Sequence, residues 1–370
     1  MTRFSAFDHQ CMAEALHLAE RGRTSTTPNP AVGCVIAAGA AVVGRGWHQR
    51  AGEAHAEVNA LQDAGEAARG ATAYVTLEPC CVHGRTPPCA TALSQAGIRR
   101  VVYAMADPNP AVNGMGADAL RAEGVQVDSG LMENAAAALN PGYAMRMREG
   151  RPRVTLKLGQ SLDGASAMRS GESQWITGPA ARDDVQTLRA RACAVLTGIG
   201  TVVADDPSLR VRATRFGESP RQPLRVVLDS TLQLSPQANI LGEPGSVLVV
   251  GAQPEIDARS LIDAGADYWR APRVASESDY AGLDLQALLQ ELAVRGINEV
   301  LVEAGARLAG SLLQAGLVDR LVLYIAPKIL GSETRGLFTT PNWLKLADGR
   351  ALTITDLRQV GADIRITATL

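Results

Sequence analysis

The spacing of apolar positions in the first 140 residues switches between helical and β-type periods. Residues 8–21 place apolar side chains at helical spacing, which predicts a first helix with Gly22 as its C-terminal cap. The runs 31–37 and 41–47 predict a β-hairpin. Further helices are expected over 53–68, 87–96, up to 123 and over 133–139, and strands over 71–77, 100–105 and 125–127. This alternation predicts a largely parallel sheet with both faces covered.

A polar stretch over 140–153 interrupts the pattern. It contains two prolines, two glycines and four arginines, and none of its residues is expected in a core. The length of 370 residues suits two or three domains, at roughly 150 residues per domain. We therefore expect two domains, 1–150 and 151–370.

The second domain repeats the alternation of strands and helices. We expect a strand and turn over 154–164, helices over 182–191, 283–296 and 306–316, and strands over 194–202, 224–230, 246–251, 297–305 and 318–330. Alternating polarity over 351–370 predicts a C-terminal hairpin. Both domains are therefore expected to be α/β.

Composition narrows the function classes. The chain carries 36 lysines and arginines against 38 aspartates and glutamates, which gives no electrostatic reason to expect nucleic acid or an anionic membrane as a partner. No apolar run approaches the roughly 18 residues of a membrane span, and the N-terminus does not resemble a signal peptide. Three of the six cysteines fall within ten positions, which indicates metal chemistry in a reducing cytoplasm rather than disulfides.

Two short segments carry residues suited to a catalytic zinc ion. His55, Cys80 and Cys89 would supply three ligands and leave a fourth position open for water. Glu57 would carry a proton between the attacking water and the leaving ammonia. The signature of zinc deaminases is H-x-E followed by P-C-x-x-C. Here eight residues, rather than two, separate the cysteines, and this insert carries His83 and Arg85 toward the rim of the site.

Each of these features has a simpler explanation when taken alone. A His-x-Glu pair is common on solvated helix faces, and a lone cysteine is commonly a small buried apolar residue. A structural zinc site would need a fourth ligand, for which Cys81 and His83 are candidates. The joint occurrence of all the motif positions favours catalysis. A nucleic-acid deaminase with an accessory domain and a non-enzymatic zinc-binding module remain as alternatives.

The order of the motifs resembles the bifunctional pyrimidine deaminase/reductases of riboflavin biosynthesis. The motifs that match the deaminase half are PNPAVGCVI, HAEV, LEPCCVHGRTPPC and DPNP. Those that match the reductase half are LKLGQSLDG, GESQWITG, TVVADDP, VEAG and IAPKILG. The resemblance implies a cytidine-deaminase-like first domain and a dihydrofolate-reductase-like second domain. It implies deamination of a phosphoribosylamino-diaminopyrimidinone, then reduction of the ribosyl chain to ribityl by NADPH, and we expect a homo-oligomer.

The resemblance also assigns site residues. In the first domain, Asn29 and His48 match positions that line the pyrimidine pocket, and His83 and Arg85 lie where a cation could meet the substrate phosphate. The implied NADPH contacts are Gly159, Trp175, Thr201, Asp205, Ser230, Gly305, Ala306, Arg307 and Leu308. The implied substrate contacts in the second domain are Ser173, Arg189, Leu209, Arg212 and Glu303.

The residues of the second domain are less informative by themselves. There is no G-x-G-x-x-G motif after a strand, and the strand-to-helix turn at Gly305 is either a phosphate site or an ordinary turn. Arg189 and Arg212 suit a phosphate clamp because guanidinium groups bind phosphate in a bidentate fork. Lys157 and Asp205 are the candidates for the proton donor in the hydride step.

Overall fold

The computed structural model describes residues 4–81, 88–274, 282–340 and 344–370. Its contacts divide the chain into two compact units, Met1–Arg151 and Pro152–Leu370, called unit 1 and unit 2 below. Among the described residues, no helix combines the length and the apolar character that crossing a membrane requires.

Unit 1 is a five-stranded sheet with helices on both faces. Its helices are α1 (Ala6–Glu20), α2 (Ala56–Ala64), α3 (Cys89–Gln95), α4 (Met115–Ala122), α5 (Glu133–Ala137) and α6 (Pro141–Glu149). Its strands are β1 (Gly33–Ala38), β2 (Ala41–Trp47), β3 (Thr72–Leu77), β4 (Arg100–Met105) and β5 (Gln126–Ser129), in the order β2-β1-β3-β4-β5. One apolar core lies between the sheet and α2, α3 and α4, and the other lies against α1 and α5.

The sheet of unit 1 is mixed, so the prediction of a largely parallel sheet was correct only for β3, β4 and β5. Strand β1 runs antiparallel to both β2 and β3. The cause is the short β1–β2 connection, because a tight hairpin can join only antiparallel strands.

Three other expectations for unit 1 need correction. Helix α1 ends at a right-handed Arg21, and Gly22 instead packs where a Cβ would lie 2.6 Å from the His48 carbonyl oxygen. Helix α2 begins at Ala56 rather than at residue 53. The polar stretch after residue 140 contains α6, with Tyr143 buried. Pro at the first helical turn and left-handed Gly150 after the last turn favour this helix.

Unit 2 is a nine-stranded sheet with a small two-stranded sheet beside it. Its strands are β6 (Arg153–Ser161), β7 (Ala167–Met168), β8 (Ala194–Gly198), β9 (Leu224–Leu228), β10 (Val247–Gly251), β11 (Asp267–Arg270), β12 (Glu299–Glu303), β13 (Arg320–Ala326), β14 (Thr334–Arg335), β15 (Thr353–Val360) and β16 (Asp363–Thr369). Its helices are α7 (Pro179–Arg191), α8 (Ile199–Asp205), α9 (Asn239–Gly242), α10 (Arg259–Asp263), α11 (Leu285–Val294) and α12 (Ala306–Gln314).

The large sheet has the order β11-β10-β9-β8-β12-β6-β13-β16-β15. The strands from β11 to β13 in this order are parallel, and two apolar cores cover the two faces of the sheet. Strands β15 and β16 form the expected C-terminal hairpin, which joins β13 in antiparallel fashion.

The strand predicted over 194–202 was too long. Strand β8 ends at Gly198, and α8 follows at once. The β-branched residues of this segment favour a strand by propensity, but Ile199 and Val202 lie three positions apart on a helix and both pack against the core. Burial of this apolar pair therefore outweighs local propensity.

Candidate active sites

The first site forms where helix α2 begins. Two glycines of β2 let α2 lie close to the sheet, and a Cβ on Gly46 would collide with the carbonyl oxygen of Ala56. His55 is the N-terminal cap residue of α2 and has extended backbone, and Glu57 lies in the first helical turn. The half-buried imidazole of His55 and the buried carboxyl group of Glu57 therefore lie at the same end of α2.

Among the described residues, one group of side chains could hold a metal ion, and it consists of His55, Cys80 and Cys89. Their potential ligand atoms all lie within 4.8 Å of one another. His55 Nδ1 is 3.2 Å from Cys89 Sγ and 3.6 Å from Cys80 Sγ, and the Cys89 backbone N–H donates to Cys80 Sγ at 3.4 Å. Two thiolates and an imidazole are a donor set that zinc prefers, and three protein ligands leave one position for water. These residues therefore fit a catalytic zinc ion.

The charges at this site suit metal binding and proton transfer. Hydrogen bonds from Cys89 and His55 lower the pKa of Cys80 to about 4, although burial opposes this, so that Cys80 is held as the thiolate. A hydrogen bond to Cys80 raises the pKa of His55. Burial, aided by the charge of Cys80, raises the pKa of Glu57 to about 7, and the side chain is only 4% exposed. A carboxyl group with a pKa near neutrality suits proton transfer in both directions.

The loop that carries Cys80 is fixed by a buried carboxylate. Glu78 accepts backbone hydrogen bonds from Asp107, Gly114 and Ala117 at 3.0–3.3 Å. Gly116 lies against Pro79, so that a Cβ there would collide with the Pro79 carbonyl oxygen. These contacts were not predicted from the sequence, although Glu78 stands out there as an acidic residue two positions before the ligand Cys80.

Asn29 and His48 lie together beside the metal ligands. The His48 ring packs edge-on against that of His55, with the ring centroids 5.2 Å apart. His48 Nδ1 lies 3.0 Å from the carbonyl oxygen of Ala54, and because a carbonyl only accepts, this nitrogen carries the proton. His48 Nε2 then accepts from Asn29 Nδ2 at 3.1 Å. This leaves the Asn29 amide oxygen as an acceptor for a substrate N–H.

Two predicted residues of this site, His83 and Arg85, lie outside the described residues. Cys81 is half-buried and does not belong to the ligand group formed by its neighbour Cys80.

The second site is a cleft of about 1390 Å³ in unit 2. All the sequence-predicted residues of this domain line it, namely Lys157, Gly159, Ser173, Trp175, Arg189, Thr201, Asp205, Leu209, Arg212, Ser230, Glu303, Gly305, Ala306, Arg307 and Leu308. Many of them follow the carboxyl ends of parallel strands or open the helices after them, which is where α/β sheets bind nucleotides. The cleft exceeds the volume of typical drug-sized pockets, so it has room for a dinucleotide beside a substrate.

A buried carboxylate organises one wall of the cleft. Glu303 accepts two hydrogen bonds from Arg189, at 2.6 and 3.1 Å, and lies 3.7 Å from Lys157 Nζ. Burial opposes ionisation of Glu303, but the two cations outweigh it and lower its pKa to about 2. Because the fork of Arg189 is used by Glu303, a phosphate-binding role for Arg189 would compete with this ion pair.

Arg212 is differently placed. It is exposed, and no described residue accepts a hydrogen bond from its guanidinium group. Its backbone N–H donates to Gln186 Oε1 at 2.9 Å, which fixes the main chain at the cleft. Arg212 therefore has a free fork for a phosphate.

Sequence reasoning missed several residues of this cleft. Arg182 lies over the exposed Trp175 ring at 4.5 Å, and Gln174 donates to Asp205 Oδ1 at 3.0 Å. Tyr324 is buried at the cleft and donates to Asp184 Oδ2 at 2.6 Å. Arg182 was the first residue of a predicted helix, and Tyr324 lay in a predicted strand. Neither signal distinguishes a cleft residue from an ordinary one.

Comparison with known proteins finds a matching family model for each unit. The model of the cytidine and deoxycytidylate deaminase zinc-binding region matches residues 5–105, and the RibD C-terminal domain matches residues 152–366. The fold and sites thus define a two-domain enzyme in which a zinc-binding deaminase precedes a reductase.

The riboflavin biosynthesis protein RibD of Escherichia coli strain K12 is 51% identical over 367 residues, covering 96% of this chain and 98% of that protein. The structure of Acinetobacter baumannii RibD, form 1, has a TM-score of 0.91 at 44% identity, and the match covers 98% of each chain. A Thermotoga maritima diaminohydroxyphosphoribosylaminopyrimidine deaminase/5-amino-6-(5-phosphoribosylamino)uracil reductase has a TM-score of 0.84 at 28% identity, also over 98% of each chain. The chain belongs to the RibD family and is a deaminase and reductase of riboflavin biosynthesis.

These findings confirm the resemblance, the predicted α/β fold class with a cytidine-deaminase-like first domain, and the assignment of a zinc-binding deaminase. The residue roles and the identity of the reductase cofactor stay predictions.

Proposed function

We propose that unit 1 deaminates a diaminopyrimidinone bearing a phosphoribosylamino group, and that unit 2 then reduces the ribosyl chain to ribityl with NADPH. The observation that carries this proposal is the joint presence of a cysteine–cysteine–histidine group beside a buried Glu57 and a separate large cleft with cationic walls. The similarity to a Thermotoga maritima protein named for both activities supports the same substrates.

In the deaminase site, His55, Cys80 and Cys89 would hold zinc. When bound, zinc acidifies the attacking water. Glu57 takes a proton from that water as its oxygen bonds to the carbon bearing the amino group. Glu57 then gives the proton to the amino nitrogen, the carbon–nitrogen bond breaks, and ammonia leaves. The Asn29 amide oxygen and the neutral His48 orient the pyrimidine ring.

In the reductase cleft, the residues at the strand ends and at the start of α12 would hold NADPH, which supplies a hydride. The residues at the start of α12, from Gly305 to Leu308, line the cleft, and the backbone N–H groups of a helix N-terminus suit a phosphate of the cofactor. Arg212 would bind the substrate phosphate. Lys157 or Asp205 would donate the proton to the ring-opened sugar, and Glu303 holds Lys157 in place.

The experiment that tests this function follows both products in one reaction. Purified full-length chain is incubated with the diaminopyrimidinone phosphoribosylamine, with and without NADPH, and ammonia release and NADPH oxidation are measured. We expect stoichiometric ammonia without NADPH, and NADPH oxidation only after deamination. Single-stranded DNA and RNA serve as control substrates, and ammonia release from them, but not from the pyrimidine, would favour a nucleic-acid deaminase instead.

We also propose that the chain works as a homo-oligomer in the reducing cytoplasm, with the pyrimidine rather than nucleic acid as its partner. Ile354, Leu357 and Ile364 leave large apolar surfaces exposed on the β15–β16 hairpin, which suits contact with a second copy. None of the six cysteines forms a disulfide, and zinc binding needs Cys80 and Cys89 reduced. Light scattering of the full chain and of Leu357→Lys tests the oligomer, because a monomeric wild type would contradict it.

A further inference from the structure

Asn140 has an unusual place for an asparagine that precedes a helix. It is the N-terminal cap residue of α6, a position where asparagine normally accepts a hydrogen bond from the first turn of its own helix. Here its side chain makes no such bond. Instead, its Oδ1 accepts from the Ala31 backbone N–H and its Nδ2 donates to the Ala31 carbonyl oxygen, both at 2.8 Å. Both functions of the amide are therefore used on one distant backbone residue.

The segment that Asn140 holds carries a residue of the pyrimidine pocket. Ala31 is buried, and it is two residues from Asn29. The Asn29 backbone N–H donates to Thr26 at 2.8 Å, and its side chain donates to His48. The position of the Asn29 amide is thus set by a local turn on one side and by Ala31 on the other.

Helix α6 is itself anchored behind the site. The buried Tyr143 hydroxyl donates to Asp107 Oδ1 at 3.1 Å, and Asp107 N–H donates to the Glu78 carboxylate two residues before Cys80. Asn140 is therefore attached to a helix that is fixed against the ligand loop. The deaminase family model ends at residue 105, so this helix lies beyond the matched region.

We propose that Asn140 is a positioning residue of the deaminase site, which holds Ala31 and so sets the Asn29 amide against the pyrimidine without touching the substrate. The inference rests on the proposed deaminase function. It makes α6 a working part of the deaminase rather than a linker between two domains.

A double-mutant cycle on the full-length chain tests this role. Asn140→Ala should raise the KM for ammonia release about 10-fold, the cost of misplacing one hydrogen bond, with a smaller change in kcat. In an Asn29→Ala background the same substitution should change KM less than about 2-fold, because residues that act through one another are not additive. Asn134→Ala, at an exposed asparagine of α5, is the matched control and should leave KM unchanged.

Zinc content and reduction of the deaminated substrate are measured for each variant and should stay near wild type. Thermal unfolding is measured as well, because losing two hydrogen bonds to the buried Ala31 backbone lowers stability and each variant must be folded at the assay temperature. If Asn140→Ala does not fold, Asn140→Asp, which keeps the acceptor for the Ala31 N–H, takes its place in the cycle. Equal fold-changes in both backgrounds, or an unchanged KM in either single variant, would overturn the proposal. Absence of ammonia release by the wild type would instead overturn the proposed function, and this inference with it.

Discussion

Glu57 and Glu303 are both buried glutamates, one in each unit, and their surroundings shift their pKa values in opposite directions. Glu57 is buried beside the Cys80 thiolate, and its pKa rises to about 7. Glu303 is buried beside Arg189 and Lys157, and its pKa falls to about 2. The first glutamate can gain and lose a proton near neutral pH, whereas the second stays ionised. Nearby charge, and not burial alone, therefore separates a proton carrier from a fixed anion.

The sites around these two glutamates also differ in construction. The deaminase site takes its metal ligands from His55 and Cys89, at the starts of α2 and α3, and from Cys80, which follows β3. The reductase cleft draws on strand ends and turns from residue 157 to residue 339. The first site therefore depends on a few irreplaceable side chains, and the second depends on many contacts of smaller individual effect.

The largest expected effect comes from removing a thiolate ligand. Cys80→Ser and Cys89→Ser should each lose bound zinc and with it deamination, because a serine hydroxyl is a poor zinc ligand at neutral pH. Cys81→Ser is the matched control and should retain zinc, since Cys81 does not belong to the ligand group. Metal analysis of the purified variants decides the matter. Equal zinc loss in the Cys81 variant would indicate a structural four-ligand site.

Glu57→Gln should keep zinc and lose deamination. The amide fills the same space but cannot accept a proton from water, and loss of general acid–base catalysis costs about 10² to 10⁴ in rate. Ammonia release and metal content are measured together, with reduction of a pre-deaminated substrate as the internal control. Near wild-type ammonia release would show that Glu57 is not the proton carrier.

Glu303→Gln should act on stability as well as on reduction. Removing one partner of a buried ion pair costs about 3–5 kcal/mol, so the free energy of unfolding of unit 2 should fall by that order. The pKa of Glu303 is lowered on folding, so its contribution is present above the unfolded pKa of about 4.3 and is lost as the pH falls toward 2. The difference between wild type and variant in denaturant unfolding should therefore be largest near neutral pH and shrink below pH 4. A difference independent of pH would contradict the ion-pair account.

Arg212→Ala should have a smaller effect, confined to the phosphorylated substrate. Loss of a charge-assisted hydrogen bond of about 1.5 to 3 kcal/mol corresponds to a rise in the reductase KM of about 10- to 150-fold, with little change in NADPH affinity. Arg212→Lys should restore part of the lost affinity for the phosphorylated substrate, because an ammonium group keeps the positive charge but cannot form the bidentate fork. Arg215 is the control, since Asp183 and Thr187 already bind its side chain. Matching constants for Arg212→Ala and Arg215→Ala would leave the clamp without support.

The same difference between the units explains what the sequence could predict. Zinc needs particular side chains in a tetrahedron, so His55, Cys80 and Cys89 were visible as a motif, and the structure brings them together. A nucleotide cleft uses backbone groups and strand ends, which almost any sequence can supply, so the sequence by itself offered an ambiguous turn at Gly305 and most of the cleft residues came from the family resemblance. Helix α6 was missed because its sequence is rich in arginine and its buried residues are only the neighbours Gly142 and Tyr143, which show no helical spacing. The support that Asn140 gives to Ala31 spans 109 positions, and no local pattern reports it.

The central claim is that one chain carries a zinc deaminase and a separate reductase. Removal of the metal tests this claim most directly. The purified chain is dialysed against a chelator, and ammonia release and NADPH-dependent reduction of the deaminated pyrimidine are measured before and after zinc is restored. We predict that chelation abolishes ammonia release, leaves reduction unchanged, and that added zinc restores deamination. Ammonia release that persists without metal, or reduction that disappears with it, would contradict the account.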